Sequence, residues 1–248
     1  MKATAFEFRF RFPIMVAVIC LGYWSPWSGA WGAAALFTQR ISLLEWLALE
    51  ISRLNLVTFT VATPIVIGIG TLFAAIGAWL RIWGTAYLGS ATMLHGQMQA
   101  GAVMVDGPYR FVRNPLYIGS WFMVAAMCFT MPPTGALMTI VALSIFQLRL
   151  IYGEEAFLGT ELGQPYLDYL HTVPRLIPML RSTLPSTDRK PNWLRALIAE
   201  VNPIGVFVVL AALSWTYNNE LMVRAILVAF GLSLIVRALV PGIRQPVT

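Results

Sequence analysis

The chain has 248 residues, of which 58% are hydrophobic and only 11% charged, and its formal net charge is +6. Soluble domains carry about 25% charged residues, so this composition excludes an ordinary soluble domain and points to a polytopic membrane protein. The arginines flank apolar runs instead of clustering on a polar domain, which argues against nucleic acid as a partner. Cys20 and Cys128 lie inside apolar runs and imply no disulfide framework, while His95 and His171 lack metal-ligand spacing, so no metal is expected.

In chain order, apolar runs predict an all-α fold of about six transmembrane helices, at roughly 13–37, 55–80, 115–131, 134–151, 201–219 and 221–240. The first follows basic residues, as a signal peptide would. Pro26 and three tryptophans make it a retained, kinked span instead. Residues 40–53 repeat Leu43, Leu44, Leu47 and Ile51 at helical spacing among Glu45, Glu50 and Arg53, which predicts an amphipathic helix on the outer surface. The uncharged stretch from Asn114 to Leu148 is too long for one span, and Met131-Pro132-Pro133-Thr134-Gly135 breaks it into a helical hairpin. Residues 174–191, rich in proline and basic residues, read as irregular, and Trp193–Ala199 as a short surface helix.

This divides the chain into N-terminal spans with an interfacial helix (1–80), a core with the hairpin (81–180), and a linker with a C-terminal hairpin (181–248). With six spans and a cytoplasmic N-terminus, the inner segments hold 14 of the 17 Lys and Arg residues, leaving Arg40, Arg53 and Arg224 outside. That asymmetry predicts an integral protein of the cytoplasmic (inner) membrane with both termini cytoplasmic.

The polar residues concentrate at the cytoplasmic mouth of the hairpin. Gly107-Pro108-Tyr109-Arg110-Phe111-Val112-Arg113-Asn114-Pro115-Leu116-Tyr117 enters it, and Arg149, Tyr152 and Glu154-Glu155 leave it. Charges at a bilayer edge are costly unless they pair or bind something. Pro115 suits the first helical turn, whose free backbone N–H groups together with Arg110 and Arg113 form a plausible anion site. The hairpin returns Glu154 and Glu155 to the membrane face of Arg113, so Arg113 is expected to pair with one of them and close a pocket.

The ordered set Gly107-Pro108-Tyr109, Arg113-Asn114-Pro115-Leu116-Tyr117, Glu154-Glu155, Gly163-Gln164-Pro165-Tyr166-Leu167-Asp168-Tyr169 and Val173-Pro174-Arg175-Leu176-Ile177-Pro178 resembles the isoprenylcysteine carboxyl methyltransferase family. Membrane phospholipid methyltransferases share the Arg-His-Pro and Glu-Glu elements. The resemblance covers about residues 75–180. It implies S-adenosylmethionine bound at the cytoplasmic end of the hairpin, along Gly101-Ala102-Val103-Met104, Tyr109, Asn114-Pro115-Leu116-Tyr117 and Glu154. An upstream contact would come from His95, Gln97 or Gln99.

By the same resemblance Arg149, or its neighbour Tyr152, faces the substrate. The catalytic candidates are Arg113, expected to pair with a glutamate and close the pocket, and Glu154 and Glu155, either of which would take the proton of an amine or thiol acceptor. Asn114 stands where the family usually has histidine; it keeps a donor and an acceptor but does not titrate between pH 5 and 8. The implied activity is methyl transfer to a lipophilic or lipid acceptor among membrane lipids. A sterol-reductase-like enzyme using NADPH and a non-catalytic lipid-binding scaffold are the rival readings.

Overall fold

The computed structural model describes residues 2–25, 41–88, 103–187 and 190–240. Two capping boxes start the N-terminal helices. Thr4 opens α1 (Ala5–Arg9) and Ser42 opens α3 (Leu43–Arg53), each hydroxyl accepting the N–H three residues on, while Glu7 and Glu45 reach back to the cap N–H at 2.7 Å. Between them, α2 (Arg11–Trp24) is a short apolar helix. Next, α4 (Phe59–Leu88) continues for 30 residues through Pro64.

The expected hairpin is formed by α5 (Pro115–Cys128) and α6 (Pro133–Leu162). Each begins with a proline at the first turn, where its missing N–H costs nothing. The turn is closed by Phe129, Thr130 and Met131 N–H groups returning to the carbonyls of Ala126, Met127 and Cys128. The amphipathic α3 docks here rather than lying free. Leu43 and Leu44 N–H donate to the carbonyls of Met131 (2.7 Å) and Phe129 (3.0 Å), and Leu44 and Ala48 bury against Ala62, Val66 and Ile67 of α4.

The rest of the described chain comprises α7 (Gln164–Thr172), the irregular 173–187 stretch, α8 (Trp193–Ala199), α9 (Val201–Leu213) and α10 (Asn219–Leu239). The helix bends by 72° between α8 and α9, at Glu200. One core joins α2, α4, α5, α6, α9 and α10 through Ala74, Val124, Met131, Leu143, Leu150, Val206, Leu210 and Ile226, with Ile14 and Val18 packed on it.

Helices occupy all six expected positions, but the count of complete spans is lower. Among the described residues three helices are long and apolar enough to cross a membrane, α4, α6 and α10, or four if the bent α8–α9 pair is one span. The physical reason is length. The 14 residues of α5 rise only about 21 Å against a hydrocarbon core of about 30 Å, and α2 has the same length. The remainder of the first expected span lies outside the described residues. Conversely α6 has 30 residues, rising about 45 Å, so it carries Glu154 and Glu155 on the spanning helix itself instead of just beyond it.

Helices α4 and α5 meet through two glycines. A Cβ on Gly77 would lie 2.8 Å from the Met123 nitrogen and 2.9 Å from the Gly119 carbonyl oxygen, and one on Gly119 would lie 3.0 Å from the Gly77 carbonyl. Close approach of this kind replaces the hydrophobic effect inside a bilayer, where lipid tails are as apolar as side chains. Gly77→Val is expected to destabilise the detergent-solubilised chain by about 1–3 kcal/mol. Gly68→Ala, where a Cβ would meet nothing within 4 Å, leaves the unfolding midpoint unchanged or slightly higher.

Candidate active site

The segment entering the hairpin is pinned before it reaches α5. Asp106 accepts the Thr187 N–H at 2.9 Å, the Ser186 hydroxyl at 3.0 Å and the Thr187 hydroxyl. Burial pushes the Asp106 carboxyl up, but these bonds outweigh it and hold the group below its ordinary value. Gly107 follows at φ +58°, with the Tyr87 ring 2.3 Å from where a Cβ would sit, so only glycine serves here. A 3-10 turn over Gly107–Arg110 then buries Tyr109.

The Tyr109 carbonyl accepts the Tyr169 hydroxyl at 2.8 Å, and the Arg110 guanidinium donates to the Leu184 carbonyl at 3.2 and 2.5 Å. The Tyr109 hydroxyl itself is buried without a hydrogen-bond partner among the described residues. Burial, aided by the fields of Tyr169 and Glu154, keeps that hydroxyl well above the ordinary phenol range. It is therefore a protonated donor at neutral pH.

Asn114 is the N-cap of α5, yet its side chain does not cap. The amide donates instead to Glu155 Oε1 at 3.0 Å and to the Arg175 carbonyl at 3.3 Å. Pro115 is buried at N1, and the first backbone N–H groups of α5 are left without a side-chain cap. Leu116 packs against α4 at Gly84, where an added Cβ would come within 2.7 Å of Leu116 and 3.5 Å of the Tyr109 hydroxyl.

The two carboxylates are consecutive on α6 and so point about 100° apart. Glu155 is only 6% exposed. Its Oε1 faces Arg113 Nε at 3.3 Å as well as Asn114, and its Oε2 accepts Arg175 Nε at 3.0 Å and Nη2 at 2.8 Å. The Arg113 Nε contact is an ion pair without hydrogen-bond alignment; Arg113 Nη1 donates to the Leu170 carbonyl at 2.9 Å, and its backbone N–H to that of Pro174 at 2.9 Å. Glu154 accepts the Tyr117 hydroxyl at 2.8 Å. Glu155 is thus saturated by donors, whereas Glu154 is held by a neutral hydroxyl that can exchange for a ligand.

The remaining candidates have other partners. Arg149 donates from Nε and Nη2 to Glu7 at 3.0 and 2.8 Å, and its carbonyl accepts the Ala3 N–H, so it latches the N-terminal segment onto α6. Tyr152 is exposed, with the Arg175 guanidinium 4.3 Å over its ring. Val103 packs with Tyr166, Tyr169 and Val173, and Met104 is half-buried. Gly101, Ala102, His95, Gln97 and Gln99 lie outside the described residues.

Sequence reading missed a second buried ion pair. Arg81 donates to Glu200 at 2.7 and 3.0 Å and to Ser120 at 2.5 Å, and the Thr85 hydroxyl adds 2.7 Å to a carboxylate that is 1% exposed. The signal was present as two lone opposite charges, one inside an apolar helix and one at the edge of another. Neutralising Arg81 is also what lets α4 run past the expected boundary at residue 80. The role of Arg175 was likewise missed, since a basic residue in an irregular segment reads as solvated.

Residues 65–164 match the phospholipid methyltransferase family model. Over that span the chain is similar to the phospholipid methyltransferase family, a family of membrane methyltransferases. No curated protein and no solved structure matches it. The matched span contains Asn114, Tyr117, Glu154 and Glu155 and ends just before the Tyr166/Tyr169 cluster and Arg175. The last clamp on Glu155 therefore comes from outside it.

The Glu7–Arg149 latch yields a pH prediction. The hydrogen bonds from Arg149, then the Thr4 N–H, hold the Glu7 carboxyl down at about 2 from an ordinary 4.5. A depressed carboxyl stabilises the fold above its ordinary value and loses that contribution as pH falls through the folded value. Hydrogen-exchange protection of residues 3–10 is expected to hold down to about pH 4.5 and to fall progressively toward pH 2, while Glu7→Gln removes the pH dependence.

Proposed function

We propose that the chain is an S-adenosylmethionine-dependent integral membrane methyltransferase that acts on a lipophilic acceptor at the cytoplasmic face of the inner membrane. The observation that carries this is the Tyr117–Glu154 pair, fixed beside a saturated Glu155 and a Tyr109 hydroxyl without a partner among the described residues, within the span that matches the methyltransferase family model. The side follows from the concentration of basic residues in the segments bearing this site.

The donor set fits the cofactor. Glu154 offers an anionic acceptor for an amine or ribose hydroxyl, and Tyr109 a buried donor. The uncapped start of α5 offers backbone N–H groups to a carboxylate. Once bound, the cofactor supplies an already activated methyl group, so the protein's work is alignment and exclusion of water.

Each residue then has a task. Arg113, Asn114 and Arg175 immobilise Glu155, which ties the start of α5 to α6 and fixes where Glu154 points. A carboxylate acceptor needs no base. With an amine acceptor, Glu154 takes the proton, because Asn114 cannot titrate and Glu155 is occupied. Apolar helices on both sides admit the acceptor laterally from the bilayer.

At about 100 times its dissociation constant, S-adenosylhomocysteine is expected to stabilise the purified chain by about 2.7 kcal/mol, read as a rise in Tm, and NADPH to leave Tm unchanged. Glu154→Gln weakens that binding about tenfold, by loss of a charge-assisted hydrogen bond. A chain that neither product nor donor stabilises would contradict the proposal.

A further inference from the structure

Beside the Tyr117–Glu154 pair, the two hairpin helices enclose a groove of about 250 Å³. Its walls include Tyr117, Trp121, Ser144, Gln147 and Leu148, and Leu176 from the irregular stretch covers one part of it. Leu148 and Leu176 are each 37% exposed, so the groove opens on the outer surface of the helices, where acyl chains lie. Most of its polar groups are satisfied within the walls. Trp121 Nε1 donates to Ser144 Oγ at 2.8 Å, and the Ser144 hydroxyl to the Ile140 carbonyl at 2.6 Å.

Gln147 is the exception. It is only 4% exposed, and its Nε2 is buried without a hydrogen-bond partner among the described residues. A primary amide donor left unpaired in an apolar wall is costly, and the cost is removed when a ligand supplies an acceptor oxygen. Gln147 and Glu154 are seven residues apart on one helix and share a face, separated by about 10 Å of rise. Tyr117 belongs to both places, lining the groove and donating to Glu154.

We infer that this groove seats the chain of the lipid-like methyl acceptor, and that Gln147 selects acceptors with a carbonyl or ether oxygen about 10 Å from the methyl-accepting group. The inference rests on the proposed methyltransferase reading. It makes Gln147 a specificity-determining residue: a hydrocarbon chain of equal length fills the groove but leaves the amide unpaired. An acceptor whose chain carries no oxygen at that depth is discriminated against by the same unpaired donor.

The test uses the full-length chain in detergent with two photoreactive probes of equal length, a diazirine-bearing hexadecanoyl glycerol ester and a diazirine-bearing alkane. The ester is expected to label residues 117–121 and 144–148 at least about fivefold more than the alkane. Gln147→Leu and the better-matched Gln147→Met bring ester labelling down to the alkane level, while S-adenosylhomocysteine still raises Tm. Equal labelling by the two probes, or undiminished ester labelling in both variants, would overturn the assignment. Selective ester labelling in a chain that S-adenosylhomocysteine does not stabilise would instead remove the methyltransferase reading and leave the groove a lipid site.

Discussion

A carboxylate taken out of water costs several kcal/mol unless its lone pairs are met, and Glu155 is nearly inaccessible on a helix long and apolar enough to cross a membrane. Three side chains from two other parts of the chain meet it: Arg113 and Asn114 from the entry to the hairpin, and Arg175 from beyond its exit. The α5–α6 turn at Met131 closes one end of the hairpin, and Glu155 closes the other. With both ends fixed, the position of Tyr117 relative to Glu154 is no longer free. The proposed methyl transfer, whose demand on the protein is alignment, would depend on that constraint.

The second buried pair plays a parallel part. Arg81 and Glu200 join α4 to the bend between α8 and α9, so the C-terminal helices are tied to α4 by charge as well as by packing. Tyr109 lies within the fields of both clusters, since Glu154, Arg81 and Glu200 all act on its hydroxyl. This hydroxyl, without a partner among the described residues, thus stands where the two charged networks approach each other. The lateral groove is lined by Tyr117, the residue that also donates to Glu154.

Much of this was legible in the sequence because it rests on local rules. Pro132-Pro133 in a long uncharged run marks a hairpin, Ser42 and Glu45 mark a helix start, and an Arg-Asn-Pro followed 40 residues later by Glu-Glu marks a place where charges must meet. What was not legible depends on three-dimensional partnering. Periodicity cannot say which of two adjacent glutamates a distant arginine takes, nor that Arg149 turns away to Glu7. It also cannot foresee that Arg175, in a proline-rich stretch, folds back onto a buried carboxylate. Span lengths failed for a related reason: a lone Arg81 reads as a helix end until its partner Glu200 is known, and α5 is shorter than its apolar run because the turn consumes Phe129 to Met131.

The central claim is that Glu155 and its donors act as one clamp, and a double-mutant cycle between Glu155 and Arg175 tests it directly. Unfolding free energies would be measured in one detergent for the wild type, Glu155→Ala, Arg175→Ala and the double variant. The clamp predicts that the double variant loses less stability than the sum of the single losses, by at least about 1 kcal/mol, because the second removal relieves a charge stranded by the first. Losses that add to within about 0.5 kcal/mol would contradict it.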